Sequence, residues 1–66
     1  MKLHINDEAR EIEGARNIAE LITALGLPVP SVLVEHNGIA LRRNEWIDRL
    51  LADGDRLEII RIVAGG

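Results

Sequence analysis

Hydrophobic and polar positions alternate at the start of the chain, where Leu3 and Ile5 are interleaved with Lys2 and His4 before the turn-forming run Asn6-Asp7-Glu8. A period of two is that of a half-buried strand, and Arg10-Glu11-Ile12-Glu13 follows the turn, so the pattern predicts an amino-terminal hairpin. Its second strand has Ile12 as its one clearly apolar residue, which predicts a sheet edge guarded by charge. Beyond Gly14 the period lengthens. Asn17 followed by Glu20 has the form of a capping box, with the Asn side chain accepting an orphan amide and the Glu reaching back. Ile18, Leu21, Ile22 and Leu25 then share one helical face, Gly26 suits the left-handed position past a helix end, and Pro28 prevents continuation. A one-sided helix of about two turns is expected.

The strand period resumes at Val32 and Val34, and Asn37-Gly38 is a strong short-hairpin signal because both residues tolerate positive φ. Ile39 to Leu41 is the expected return strand. Asn44-Glu45-Trp46-Ile47-Asp48 begins with a cap candidate and places Trp46, Leu50 and Leu51 near helical spacing, predicting a short helical turn. Asp53-Gly54-Asp55 supplies another reversal before the most apolar segment, Leu57 to Val63. Two strands, a helix, a strand, a short strand and a last strand give an α+β roll, a sheet with one helix across it. One helix covers one side of a sheet, so the other side meets water or a partner.

The last strand carries isoleucine on both faces. Leu57, Ile59, Arg61 and Val63 alternate with Glu58, Ile60 and Ile62. With Leu57 and Ile59 toward the helix, Ile60 and Ile62 project from the uncovered side, and Leu33, out of phase with Val32 and Val34, joins them. A central strand apolar on both sides is the alternative. Because a single helix is available as cover, the docking patch is the favoured reading.

Composition narrows the function. Sixty-six residues make one domain, and a chain of this size buries only roughly 60% of its unfolded surface. Active-site clefts of about 300 Å³ or more generally lie between layers or domains, so the chain is expected to be handled by enzymes rather than to be one. Eleven acidic against eight basic residues, net −3, argue against a nucleic-acid partner, which needs clustered Lys and Arg. There is no cysteine for a thiolate nucleophile, a disulfide or a zinc cluster. Neither a signal sequence nor an apolar run near the ~18 residues of a membrane span is present, so a cytoplasmic location without membrane contact is expected.

Other chemistry is weakly represented. His4 and His36, with Asp7 or Glu35, match no metal-site spacing and read as solvated strand histidines. Asp53-Gly54-Asp55 is too short for a calcium loop, which takes about twelve residues. Trp46, the one aromatic residue, reads as a core anchor. Arg42-Arg43 could steer an acidic partner, although a solvated strand end fits equally. No bound cofactor is expected.

The chain closes Val63-Ala64-Gly65-Gly66. Taken alone, this favours an ordinary frayed end. Two glycines, however, fit a slot too narrow for any side chain. Residues 1–63 are read as the domain and 64–66 as a flexible tail.

Together with the sheet-and-helix order, Leu25-Gly26-Leu27, Val32 to Val34 before Asn37-Gly38, Arg43-Asn44-Glu45-Trp46, Asp53-Gly54-Asp55-Arg56-Leu57-Glu58-Ile59 and the Gly-Gly end span nearly the whole chain. They resemble the ubiquitin-like sulfur carriers, and most closely the ThiS-like carriers of thiamine thiazole synthesis. Arg42 is a departure, standing where that family often has proline. The resemblance implies a β-grasp fold with a mixed four- to five-stranded sheet. It also implies a carrier cycle in which a ThiF-like adenylyltransferase uses ATP and magnesium to adenylate the Gly66 carboxylate. A persulfide made by a cysteine desulfurase then displaces AMP, and the Gly66 thiocarboxylate passes sulfur to a ThiG-like thiazole synthase. Gly66 carries the sulfur, Gly65 and Ala64 thread the tail, and Ile60, Ile62 and Leu33 dock the partner. The small subunit of molybdopterin synthase, a protein modifier forming isopeptide bonds through Gly66, and a noncatalytic binding domain with an irrelevant tail are the alternatives.

Overall fold

A computed structural model describes residues 1–63. The expected domain boundary and the tail residues Ala64, Gly65 and Gly66 lie outside the described residues. Five strands and a helix follow one another as β1 (Lys2–Ile5), β2 (Glu8–Glu11), α1 (Ile18–Ala24), β3 (Val32–His36), β4 (Ile39–Leu41) and β5 (Arg56–Arg61), with 3₁₀ segments at Val29–Ser31 and Arg43–Asp48. The sheet order is β2-β1-β5-β3-β4. β1 and β5 pair in parallel and the other neighbours are antiparallel, which makes the sheet mixed. The expected α+β β-grasp roll is the observed one.

Both hairpins turn on asparagine. Asn6 (φ 51) and Asp7 (φ 65) make the first two-residue loop, and Asn37 (φ 50) and Gly38 (φ 83) the second. Paired positive φ values match the right-handed twist of the strands they join. Because two residues suffice for the first turn, β2 begins at Glu8, earlier than the expected Arg10 to Glu13. It lies at the sheet edge and is exposed throughout.

The turn asparagines also hold β5 from both sides. Asn6 Oδ1 accepts from Ile59 N at 2.8 Å and its Nδ2 donates to Ile59 O at 3.1 Å, so the side-chain amide mimics a strand residue. Asn37 Oδ1 accepts from Arg56 N at 2.9 Å, while Asn37 N donates to Arg56 O at 2.8 Å. The last strand is thereby fixed by side chains more than 15 positions away as well as by its ladder.

Asn17 caps α1 as expected, its Oδ1 accepting from Glu20 N at 2.8 Å. Glu20 reaches back one residue further than a standard capping box, with Oε1 accepting from Arg16 N at 2.8 Å. Gly26 takes φ 70 just past the end. A seven-residue helix is too short to persist alone, so packing must hold it. Ile18, Leu21 and Ile22 are fully buried, and the inward residues of three strands meet them: Leu3 and Ile5, Val32 and Val34, Leu57 and Ile59. Burial of each such side chain contributes about 1.5 to 3 kcal/mol, which offsets the cost of ordering a helix this short.

The segment around Trp46 differs from expectation in its cap and in the placement of Leu50. The turn starts at Arg43 rather than from an Asn44 cap, with Arg42 N donating to Glu45 Oε1 at 2.7 Å and Glu45 N to Arg42 O at 2.9 Å. It is 3₁₀ and ends at Asp48; Arg49 is extended and Leu50 lies beyond the turn in an isolated antiparallel bridge with Asn17, so it does not share a helical face with Trp46. Trp46 is buried and Leu50 is 71% exposed. Leu51 turns inward, held by a bond from its N to Arg16 O at 2.9 Å. Among the described residues, no helix is long and apolar enough to cross a membrane.

Candidate functional site

α1 covers one side of the sheet. On the other, the register sets Leu33 of β3 directly opposite Ile60 of β5, and both are more than half exposed. One step past β5, Ile62 N donates to Ser31 O at 2.6 Å, extending the ladder, and the Ile62 side chain is half exposed. Leu33, Ile60 and Ile62 are thus on the surface and adjacent to the segment leading to residue 64. Leu57 and Ile59, the alternate residues of the same strand, are buried. The alternative of a strand buried on both sides does not apply.

Next along β3 and β5, Glu35 lies directly opposite Glu58. Like charges face to face across strands are destabilising, and among the described residues neither makes an ion pair. Ala40 of β4 pairs with Glu35 and is too small to fill the space beside it. The result is a notch of about 140 Å³ bounded by Leu33, Ile60, Ala40, Glu35 and Glu58. The sequence contains both glutamates but not their juxtaposition, which depends on the β3–β5 register.

His36 corrects the sequence reading: it is buried, not solvated. Its Nε2 lies 2.7 Å from Asp55 Oδ2, and Arg49 Nε donates to its Nδ1 at 2.9 Å. An arginine N–H can only donate, so Nδ1 is the acceptor and the imidazole proton sits on Nε2, facing the carboxylate. Burial opposes ionisation of Asp55. The hydrogen bonds from His36, Ala52 N and Asn37 outweigh it and hold the carboxyl below its ordinary range. With one nitrogen bound to Asp55 and the other to Arg49, His36 has no free lone pair for a metal. Among the described residues there is no group of three or more potential metal ligands. This triad ties the end of β3 to the start of β5 and to the end of the 3₁₀ segment.

A mixed five-stranded sheet gripping one helix, with an apolar open face beside the carboxyl-terminal strand, places the chain in the β-grasp class. Residues 3–66 match the model of the ThiS family, and the chain belongs to that family. The crystal structure of the thiamine biosynthesis protein ThiS from Geobacter metallireducens is 33% identical and superposes with a TM-score of 0.84, each chain covered in full. The sulfur carrier protein ThiS of Thermus thermophilus is 34% identical over 94% of this chain and 95% of its own. A thiazole synthase of Paramagnetospirillum magneticum is 33% identical over the whole of this chain, which spans 20% of that longer protein.

Proposed function

We propose that this protein is a sulfur carrier of thiamine biosynthesis whose Gly66 carboxylate is activated and exchanged for a thiocarboxylate by partner enzymes. The observation that carries the reading is the family match running through residue 66, which includes Gly65 and Gly66. A carboxylate resists nucleophiles until one oxygen becomes a good leaving group. In the proposed cycle that oxygen attacks the α-phosphorus of ATP on a ThiF-like adenylyltransferase and releases pyrophosphate, magnesium balancing the phosphate charge. The terminal sulfur of a persulfide, formed from cysteine by a desulfurase, then attacks the acyl carbon and AMP departs. A second thiol cleaves the resulting acyl disulfide, taking the other sulfur into a disulfide and leaving the Gly66 thiocarboxylate for a ThiG-like thiazole synthase.

The chain itself supplies recognition. Leu33, Ile60 and Ile62 are the docking contacts, and Ala64 and Gly65 thread the tail into the partner's active site. The thiazole synthase relative, a segment of which resembles this entire chain, favours thiazole formation over molybdopterin synthesis as the destination.

Intact mass after incubation with the adenylyltransferase, ATP, magnesium, cysteine and a desulfurase is expected to show exchange of one oxygen for sulfur, located to Gly66 by fragmentation. A variant extended by one residue beyond Gly66 is expected to show none. Absence of exchange in the unextended chain overturns the reading, and isopeptide conjugates through Gly66 would make it a protein modifier.

A further inference from the structure

The notch on the open face has a shape and chemistry of its own. At about 140 Å³ it is well below the 300 Å³ or so of a small-molecule site, and suits a single long side chain. Its walls are apolar at one end, where Leu33 and Ile60 oppose each other, and acidic at the other, where Glu35 opposes Glu58. A side chain filling it should have a hydrocarbon stem and a cationic head.

Resting on the sulfur-carrier reading, we propose that the notch receives one arginine side chain of the thiazole synthase, the stem against Leu33, Ile60 and Ala40 and the guanidinium between Glu35 and Glu58. Charge complementarity identifies the occupant. Two carboxylates on neighbouring strands present acceptors to both edges of a planar fork, which a compact ammonium cannot bridge as well. A divalent cation is less suited, because two carboxylates beside apolar walls fall short of the six or more oxygen ligands of a hard-cation site. The opposed glutamates also cost the free protein some stability, and the incoming cation removes that repulsion. The apolar residues thus give area, and the glutamate pair selects the partner and fixes its register on the sheet.

The test titrates thiazole synthase from the same organism into the full chain, comparing wild type with Glu35→Gln/Glu58→Gln and with Ile60→Asp. The glutamine pair is expected to bind roughly 10- to 100-fold more weakly and with a flatter salt dependence, as expected for loss of a desolvated charge pair. Its unfolding midpoint should equal or exceed that of wild type, which separates lost recognition from lost folding. Binding abolished by chelation would make the occupant a metal ion and overturn the proposal. If Ile60→Asp impairs binding but the glutamine pair does not, the arginine inference fails and sheet-face docking stands. If neither impairs it, both fail. Oxygen-to-sulfur exchange at Gly66, measured separately, judges the carrier reading independently of either outcome.

Discussion

The two faces of the sheet are built from the same strands and do opposite work. Leu57 and Ile59 of β5 are buried beneath α1, whereas Ile60, one residue on, is 56% exposed. Likewise Val32 and Val34 of β3 are buried while Leu33 between them is 53% exposed. Hydrophobicity is nearly equal on the two sides near the end of β5. What differs is cover, since the inner residues join Ile18, Leu21 and Ile22 in the core cluster and the outer ones lie outside it, more than half exposed. A small domain keeps such a surface only at some cost in solubility, and exposed contiguous apolar area marks an interaction surface. The inner face makes the fold, and the outer face is available to a partner.

Truncation should expose that division most sharply. Leu21→Ala or Leu57→Ala is expected to cost about 2 to 5 kcal/mol, because each leaves a cavity in a core this small cannot close. Ile60→Ala, removing a similar volume from the outer face, should change stability by no more than about 0.5 kcal/mol. Urea unfolding of the three variants measures the difference. Equal losses would mean that the outer isoleucine is structural and the division between faces is false.

The same contrast explains what could be read from sequence. Alternation is a local signal, so the inward and outward sets on β3 and β5 are both legible, as is the helix bounded by Asn17 and Gly26. The uncovered face followed from counting helices. What was not legible depends on residues distant in sequence. Glu35 faces Glu58 only because β3 and β5 pair in one register, and His36 is buried only because Arg49 and Asp55 converge on it. The position of Leu50 is illegible for a related reason: a periodic pattern does not show that the turn stops at Asp48, nor that Leu50 bridges to Asn17, more than thirty residues earlier.

A smaller effect is expected at the hairpin turns that position the divided strand. Asn6→Ala and Asn37→Ala each remove side-chain hydrogen bonds to β5 and place alanine at positive φ, so each should destabilise by about 1 to 3 kcal/mol. Asn6→Gly keeps the backbone freedom and loses only the side-chain bonds. It should therefore fall between wild type and Asn6→Ala. Amide exchange offers the local reading, since Ile59 N is held by Asn6 Oδ1 and Arg56 N by Asn37 Oδ1. Each variant should expose its own amide first, and faster exchange of both in either variant would mean that the turns do not act separately on the strand.

The inner face ends in a polar seal at His36, and pH tests it with the smallest expected change. Asp55 has a folded-state pKa below its ordinary value of 3.8, because the bonds from His36, Ala52 N and Asn37 outweigh the burial that opposes ionisation. The unfolded chain therefore binds a proton more readily than the native one, and stability falls as acid is added. This contribution is fully present above the ordinary carboxylate range and is lost as pH falls through the depressed folded value. Asp55→Asn, which keeps the shape and one acceptor but cannot ionise, should be less stable than wild type near neutrality and lose less between neutral and strongly acid pH. Identical pH slopes in the two proteins would show that the seal is set by hydrogen-bond geometry alone. The tautomer offers a second reading of the seal: the imidazole proton should sit on Nε2, visible in the ring nitrogen chemical shifts, because Arg49 Nε–H occupies the lone pair of Nδ1. Acid loosens the seal at Asp55, while Leu33, Ile60 and Ile62 on the outer face carry no titrating group and keep their apolar surface.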